Sequence, residues 1–116
     1  GGYKVSPDEV ERAIAPALPG TELVVLGFPS EYWGEIVTLV AQNPPADWQQ
    51  KLAPTIEQMT SYKRPRLFAA IATLPRNAIG KIARAQLRRW LAEEFDLVER
   101  PRPAFIPKNR GTGGQS

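Results

Sequence analysis

The sequence predicts an α+β domain: a small mixed sheet, made of a hairpin plus a central strand, covered by three helices. Short β-rich runs at 22–27, 35–41 and 67–74 are bounded by proline and glycine. Apolar residues recur at helical spacing over 7–17 and 82–95, and more weakly over 46–60. The order helix, hairpin, helix, strand, helix sets helices against a small sheet. No internal repeat is present.

Ser6-Pro7-Asp8-Glu9 is a helix start, with Ser6 as N-cap, Pro7 at the first helical position and Glu9 able to close a capping box. Asp8, Glu9 and Glu11 put negative charge at the positive end of the helix dipole. Pro19-Gly20 ends the helix. Leu23 to Leu26 and Ile36 to Val40 then read as two strands joined by a long connection. Over 46–60, Trp48, Leu52, Ile56 and Met59 share a face, but Pro54 is expected to kink or split that helix. The nearly all-apolar run 67–74 reads as a central strand. Residues 82–95 carry Leu87, Trp90, Leu91 and Phe95 on one stripe and Arg84, Arg88 and Arg89 on the other, which makes an amphipathic helix. Periodicity fades from Asp96 on. The expected division is a domain over 1–96 and an extended or disordered tail over 97–116.

Length and composition (116 residues, 42% hydrophobic, 23% charged) suit one soluble globular domain. The absence of cysteine excludes disulfides and thiolate chemistry, and the absence of histidine excludes a Ser-His-Asp triad or a histidine-based zinc site. No metal ligands are expected. No apolar run approaches the ~20 residues of a membrane span, and the N-terminus lacks a signal-peptide layout. Net charge is +3, unevenly spread: residues 1–60 carry −5 and residues 61–116 carry +8. The second half is therefore the part to suspect of meeting an anion, or else a solvated basic surface.

The loop before the last helix, Pro75-Arg76-Asn77-Ala78-Ile79-Gly80-Lys81, holds the candidate for chemistry. Gly80 permits a backbone conformation closed to other residues, and a lysine held by such a turn can be aimed outside its own domain. A fixed cation beside a developing oxyanion or a phosphate lowers a barrier. An isolated Gly-Lys pair reads first as a solvated loop lysine beside a convenient glycine. The pattern is not a P-loop, since the upstream glycine and the following Ser/Thr are absent.

The segment 74–82 resembles the last core motif of the adenylate-forming superfamily of acyl-CoA synthetases, luciferases and peptide-synthetase adenylation domains, a motif that ends in Gly-Lys ahead of a basic helix. Residues 1–11 (Gly-Gly-Tyr-Lys-Val-Ser-Pro-Asp-Glu-Val-Glu) are similar to the segment just after that family's hinge. Val25 to Ser30 with Trp33-Gly34-Glu35 resembles its middle hairpin, and Tyr62-Lys63-Arg64-Pro65 its Tyr-Lys-x-Pro element. These matches stand in order over 1–95. Ser6-Pro7, the Tyr-Lys-Arg-Pro element and the Pro-Arg-Asn form of the last motif are ligase-like, with a peptide-synthetase adenylation subdomain as the alternative.

The resemblance implies the mobile C-terminal domain of an ATP-dependent acyl-CoA synthetase. That enzyme converts a small-molecule carboxylate and ATP to an acyl-adenylate, and coenzyme A then displaces AMP. Lys81 matches the adenylation lysine. Gly2, Tyr3 and Lys4 match the segment that enters the site for thioester formation, with Lys4 a possible nucleotide contact; Tyr3 and Lys4 also read as a plain lead-in to the helix. Arg76 is a candidate for the phosphates of coenzyme A, or a solvent-facing loop residue. Trp33, Trp48 and Trp90 read as packing residues, and Glu35 as a hairpin surface group. ATP, Mg2+ and coenzyme A are implied for the full-length enzyme, with none expected on this chain alone. The partner would be a large N-terminal domain, in whose absence the chain is expected to be inactive. A cytoplasmic location is expected, with no nucleic-acid partner. Two readings of another class are a non-catalytic binding module of the same fold and a generic basic nucleic-acid binder. The latter is weakened by the lack of aromatics interleaved with basic residues on a predicted strand.

Overall fold

A computed structural model of the protein describes residues 4–108. Helix α1 (Pro7–Ile14) starts as its sequence dictates: the Ser6 hydroxyl accepts the Glu9 N–H at 3.3 Å, and Pro7 occupies the first turn. A single 3₁₀ turn over 15–17 leads to strand β1 (Leu23–Ser30), which pairs antiparallel with β2 (Gly34–Gln42), from Leu23↔Ala41 to Ser30↔Gly34. Helix α2 (Trp48–Glu57) crosses back, and β3 (Leu67–Ile71) joins β2 in parallel. Helix α3 (Arg84–Glu94) runs directly into a second, two-stranded sheet of β4 (Phe95–Val98) and β5 (Ala104–Pro107). The fold is thus α+β with a small mixed sheet.

Alternation along β1 and β2 sends side chains to two opposite cores. Val25, Leu39 and Ala41 pack with Val10 and Ile14 of α1 and with Trp48 and Leu52 of α2. Val24, Leu26, Phe28, Ile36 and Val40 pack with Leu67, Ala69, Leu87 and Leu91, and Leu97 and Phe105 of the second sheet press onto the same core. Covering both faces explains why these strands read as nearly continuous apolar runs.

Three expectations are corrected. The strand order β1-β2-β3 puts β2 in the middle and β3 at an edge, not at the centre. The apolarity of β3 reflects two covered faces: Leu67 and Ala69 lie in one core, and Phe68 meets the Trp48 ring edge-on at 6.1 Å on the other. Pro54 neither splits nor ends α2. Both Pro54 and Gln50, whose carbonyl loses its donor, are exposed, so water is available to that carbonyl. The helix closes at Glu57, where Arg64 donates to the carbonyls of Glu57 (2.8 Å) and Met59 (2.9 Å).

The third correction concerns the stretch from 97, expected as a tail. Up to Pro107 it folds back as β4–β5, and the Phe105 ring lies 5.0 Å from Phe95 and 5.1 Å from Phe28. Two four-residue strands around a proline-rich turn leave no periodicity to read. Residues 109–116 of the expected tail lie outside the described residues. The hairpin also grips the β1–β2 turn. The Glu99 carboxylate accepts from the Ser30 hydroxyl at 2.6 Å and from the Tyr32 N–H at 3.4 Å, and its carbonyl accepts the Trp33 indole N–H at 2.6 Å.

Leu39→Ala, in a side chain with no exposure, is expected to cost ~2–5 kcal/mol in urea unfolding, whereas Ile79→Ala at an exposed loop tip changes stability by less than ~0.5 kcal/mol. The Ser30 hydroxyl, with help from backbone N–H groups of the turn, holds the Glu99 carboxyl below its usual 4.5. A depressed folded value means that the grip is fully present above the usual carboxylate range and is lost as pH falls through the lowered one. The Trp33 indole N–H resonance should therefore shift in that acid window, and Glu99→Gln should abolish the pH dependence of the shift.

Candidate functional site

The loop carrying Lys81 hangs from the end of β3. Leu74 is buried beside the sheet, and its N–H reaches the Gln42 side-chain oxygen at 2.8 Å. From there the chain makes a narrow antiparallel ladder: Arg76 bridges Ile82, the Asn77 N–H meets the Lys81 carbonyl at 2.8 Å, and the Ala83 N–H meets the Pro75 carbonyl at 2.9 Å. Asn77 organises the interior of the loop. Its side-chain oxygen accepts from the N–H groups of Ile79 and Lys81, each at 3.0 Å, and its carbonyl accepts from Gly80. Gly80 has φ +88°, a left-handed conformation that a Cβ would disfavour.

Lys81 follows this turn and is exposed, and its ammonium meets no hydrogen-bond or ion-pair partner among the described residues. Two residues on, Ala83 is the N-cap of α3 without a side-chain capping bond, and the helix's own first turn carries no acidic residue. Arg76 is exposed but engaged within the domain. One guanidinium nitrogen donates to the Gly80 carbonyl at 2.8 Å and another meets the Glu22 carboxylate at 2.7 Å.

Lys4 stands elsewhere. With Val5 and Pro7 it lines an open cleft of about 770 Å³ whose other walls include Gly27, Trp33, Glu35, Tyr62 and Arg88, and Lys81 is not among its lining residues. Gly2 and Tyr3 lie outside the described residues. Lys81 and Lys4 therefore do not line a common cleft among the described residues. Glu35 covers the strand surface so closely that a Cβ on Gly27 would fall 2.6 Å from its carboxylate. Of the tryptophans, Trp48 is buried and Trp90 half-buried, whereas Trp33 is exposed at the cleft.

The basic stripe on α3 is partly structural. Arg84 reaches Glu11 at 3.2 Å and Asp8 at 3.7 Å, and Arg88 donates to the Gly27 carbonyl at 2.8 Å. Among the described residues no group of three or more acidic, histidine or cysteine side chains is placed to hold a metal ion, and no helix is long and apolar enough to cross a membrane. The sequence reading missed Asn77, Glu22 and Gln42. An asparagine ahead of a tight Gly turn carries a local signal; Glu22 and Gln42 act on the loop from 54 and 32 residues away, and carry none.

No protein-family model matches the chain. It is 36% identical over 99 residues to an uncharacterised acyl-CoA ligase of Bacillus subtilis, a match covering 80% of this chain and 19% of that relative. A 4-chlorobenzoate-CoA ligase of Pseudomonas is 29% identical over 120 residues, matching 100% of this chain and 23% of its own length. That match includes the β4–β5 hairpin, beyond the point near 96 where the motif resemblance stops. Among solved structures, a fatty acyl CoA synthetase of Mycobacterium tuberculosis superposes with a TM-score of 0.68 at 32% identity, over 80% of this chain and 19% of that one. The chain thus spans about a fifth of the length of the relatives it matches. On sequence and fold together, it belongs to the acyl-CoA ligase family.

Proposed function

We propose that the chain is the C-terminal mobile domain of an AMP-forming acyl-CoA synthetase and that it supplies Lys81 to the adenylation step. The observation that carries this reading is a lysine whose backbone is fixed by a laddered loop while its ammonium has no internal partner among the described residues. A structural lysine would be expected to spend its charge inside the domain. This one is held ready for an anion that another surface provides.

In that step a carboxylate oxygen attacks the α-phosphorus of ATP, the new P–O bond gives the acyl-adenylate, and pyrophosphate leaves with the electron pair of the broken bond. Negative charge builds on the phosphate oxygens as attack proceeds, and a pre-placed ammonium stabilises that charge more than it stabilises the ground state. The positive end of the α3 dipole, next to Lys81, adds to the positive field. This chain offers no metal-ligand cluster among its described residues; the Mg2+ that accompanies ATP is left to the large N-terminal domain. In the second step the thiol of coenzyme A attacks the acyl carbon and AMP departs. Gly2, Tyr3 and Lys4 serve that step, the domain turning between the two. The separation of Lys4's cleft from the Lys81 loop suits such an exchange. The acyl group is selected by the large domain.

Joined to, or mixed with, the large portion of an acyl-CoA ligase, the chain should support ATP–pyrophosphate exchange, and alone it should support none. Lys81→Ala should lower exchange by ~10²–10³-fold while thioester formation from a supplied acyl-adenylate persists. Gly2→Leu should give the opposite split, sparing exchange and blocking thioester formation by crowding the path of the pantetheine arm. Exchange that survives Lys81→Ala would overturn the assignment.

A further inference from the structure

Resting on that reading of Lys81, we propose that Glu22 is a positioning residue for the lysine, acting through Arg76. The peptide bond joining Gly80 to Lys81 is gripped at both of its polar atoms. Its carbonyl oxygen accepts from Arg76 Nη1 at 2.8 Å, and its N–H donates to Asn77 Oδ1 at 3.0 Å. Glycine at φ +88° leaves this peptide plane free to turn over unless something holds it. Asn77 supplies one hold from within the loop. Arg76 supplies the other, and its guanidinium is aimed by Glu22, whose Oε2 lies 2.7 Å from Nη2.

Glu22 is itself fixed to the end of the sheet. Its carbonyl accepts the Gln42 N–H at 2.9 Å, its Oε1 faces the Gln42 amide at 3.4 Å, and Gln42 Oε1 takes the Leu74 N–H at 2.8 Å. The direction of Lys81 is thereby referred, through Arg76 and Glu22, to the register of β1 on β2. The pair is a surface one, with side chains 39% and 55% exposed, so it contributes little to global stability. Its effect falls on the orientation of the lysine. Arg76 is also spent by this arrangement, which assigns it a role other than contact with the phosphates of coenzyme A.

The test is made in the complete ligase that contains this chain, with the two half-reactions assayed separately. Glu22→Gln, which keeps shape and removes charge, should lower kcat for ATP–pyrophosphate exchange by roughly 10–100-fold. The KM for coenzyme A, thioester formation from supplied acyl-adenylate and the thermal midpoint should stay unchanged. Arg76→Ala should reproduce that pattern, the double variant should be no worse than Arg76→Ala alone, and Arg76→Lys should recover part of the loss. In a Lys81→Ala background Glu22→Gln should have no further effect. Unchanged exchange in Glu22→Gln would overturn the proposal. Equal losses in both half-reactions with a lowered midpoint would do the same, leaving a structural role only. A raised KM for coenzyme A in Arg76→Ala with normal exchange would return Arg76 to ligand binding and also overturn it. Intact exchange in Lys81→Ala alone would remove the assignment of the lysine, and this proposal with it.

Discussion

Everything in this domain is referred to β2. It is hydrogen-bonded on both edges, antiparallel to β1 and parallel to β3, and Thr38, Leu39 and Val40 have no exposed surface at all. A strand so enclosed fixes its own register, because a one-residue slip would send Leu39 and Val40 to the wrong cores. Thr38, the polar residue in the run, satisfies its hydroxyl on the Ile36 carbonyl at 2.9 Å and so costs little to bury. The price of a two-faced sheet this small is its edges. On β1 the outward N–H of Val25 is taken by Glu11 at 2.9 Å, the outward carbonyl of Gly27 by Arg88 at 2.8 Å, and Pro29 has no N–H to offer. Helices α1 and α3 therefore seal the edge as well as burying the faces.

Register then determines where chemistry can be presented. β1 begins, β2 ends and β3 ends at the same end of the sheet, as the pairs Leu23↔Ala41 and Gln42↔Ile71 require. Glu22, Gln42 and Leu74, the anchors of the Lys81 loop, all sit there. The opposite end carries the β1–β2 turn, where Trp33 is held by Glu99. A lysine on one end and an aromatic turn beside the Lys4 cleft on the other give the domain two surfaces of different chemistry.

Much of this was legible because the signals are local. The Ser6 cap, the β-rich runs of β1 and β2 and the Gly80-Lys81 turn each lie within a few residues, and each forms as read. What was not legible depends on partners distant in sequence. Whether 67–71 is central or at an edge depends on which strand it meets, and apolarity reports only that both faces are covered. β4 and β5 pack onto a core built largely by earlier elements, Phe105 meeting Phe28 from a distant strand, so two four-residue strands left no period to detect. Pro54 misled because its cost depends on whether the freed carbonyl is wet. At the Lys81 loop the Gly80 turn carries a local signal, while Glu22, whose carboxylate pairs with Arg76, lies 54 residues away.

Charge distribution illustrates the same point and bears on function. A C-terminal half carrying +8 invites a nucleic-acid reading, which needs cations free to meet phosphates along a surface. Most of that charge is spent internally. Lys63 pairs with Glu9, Arg76 with Glu22 and Arg84 with Glu11, all acids from the first half, so the opposite charges of the two halves are complementary and lace the chain to itself. Arg64, Arg88 and Lys108 are spent on backbone carbonyls, and Arg100 lies over the Tyr32 ring. Among the described residues Lys81 alone of the remaining cations follows a left-handed glycine and has its own backbone N–H and carbonyl fixed within one short loop. A cation held that firmly at its backbone and that loosely at its charge is suited to one anion in one place, which is what stabilising a reacting phosphate requires and what coating a polyanion does not.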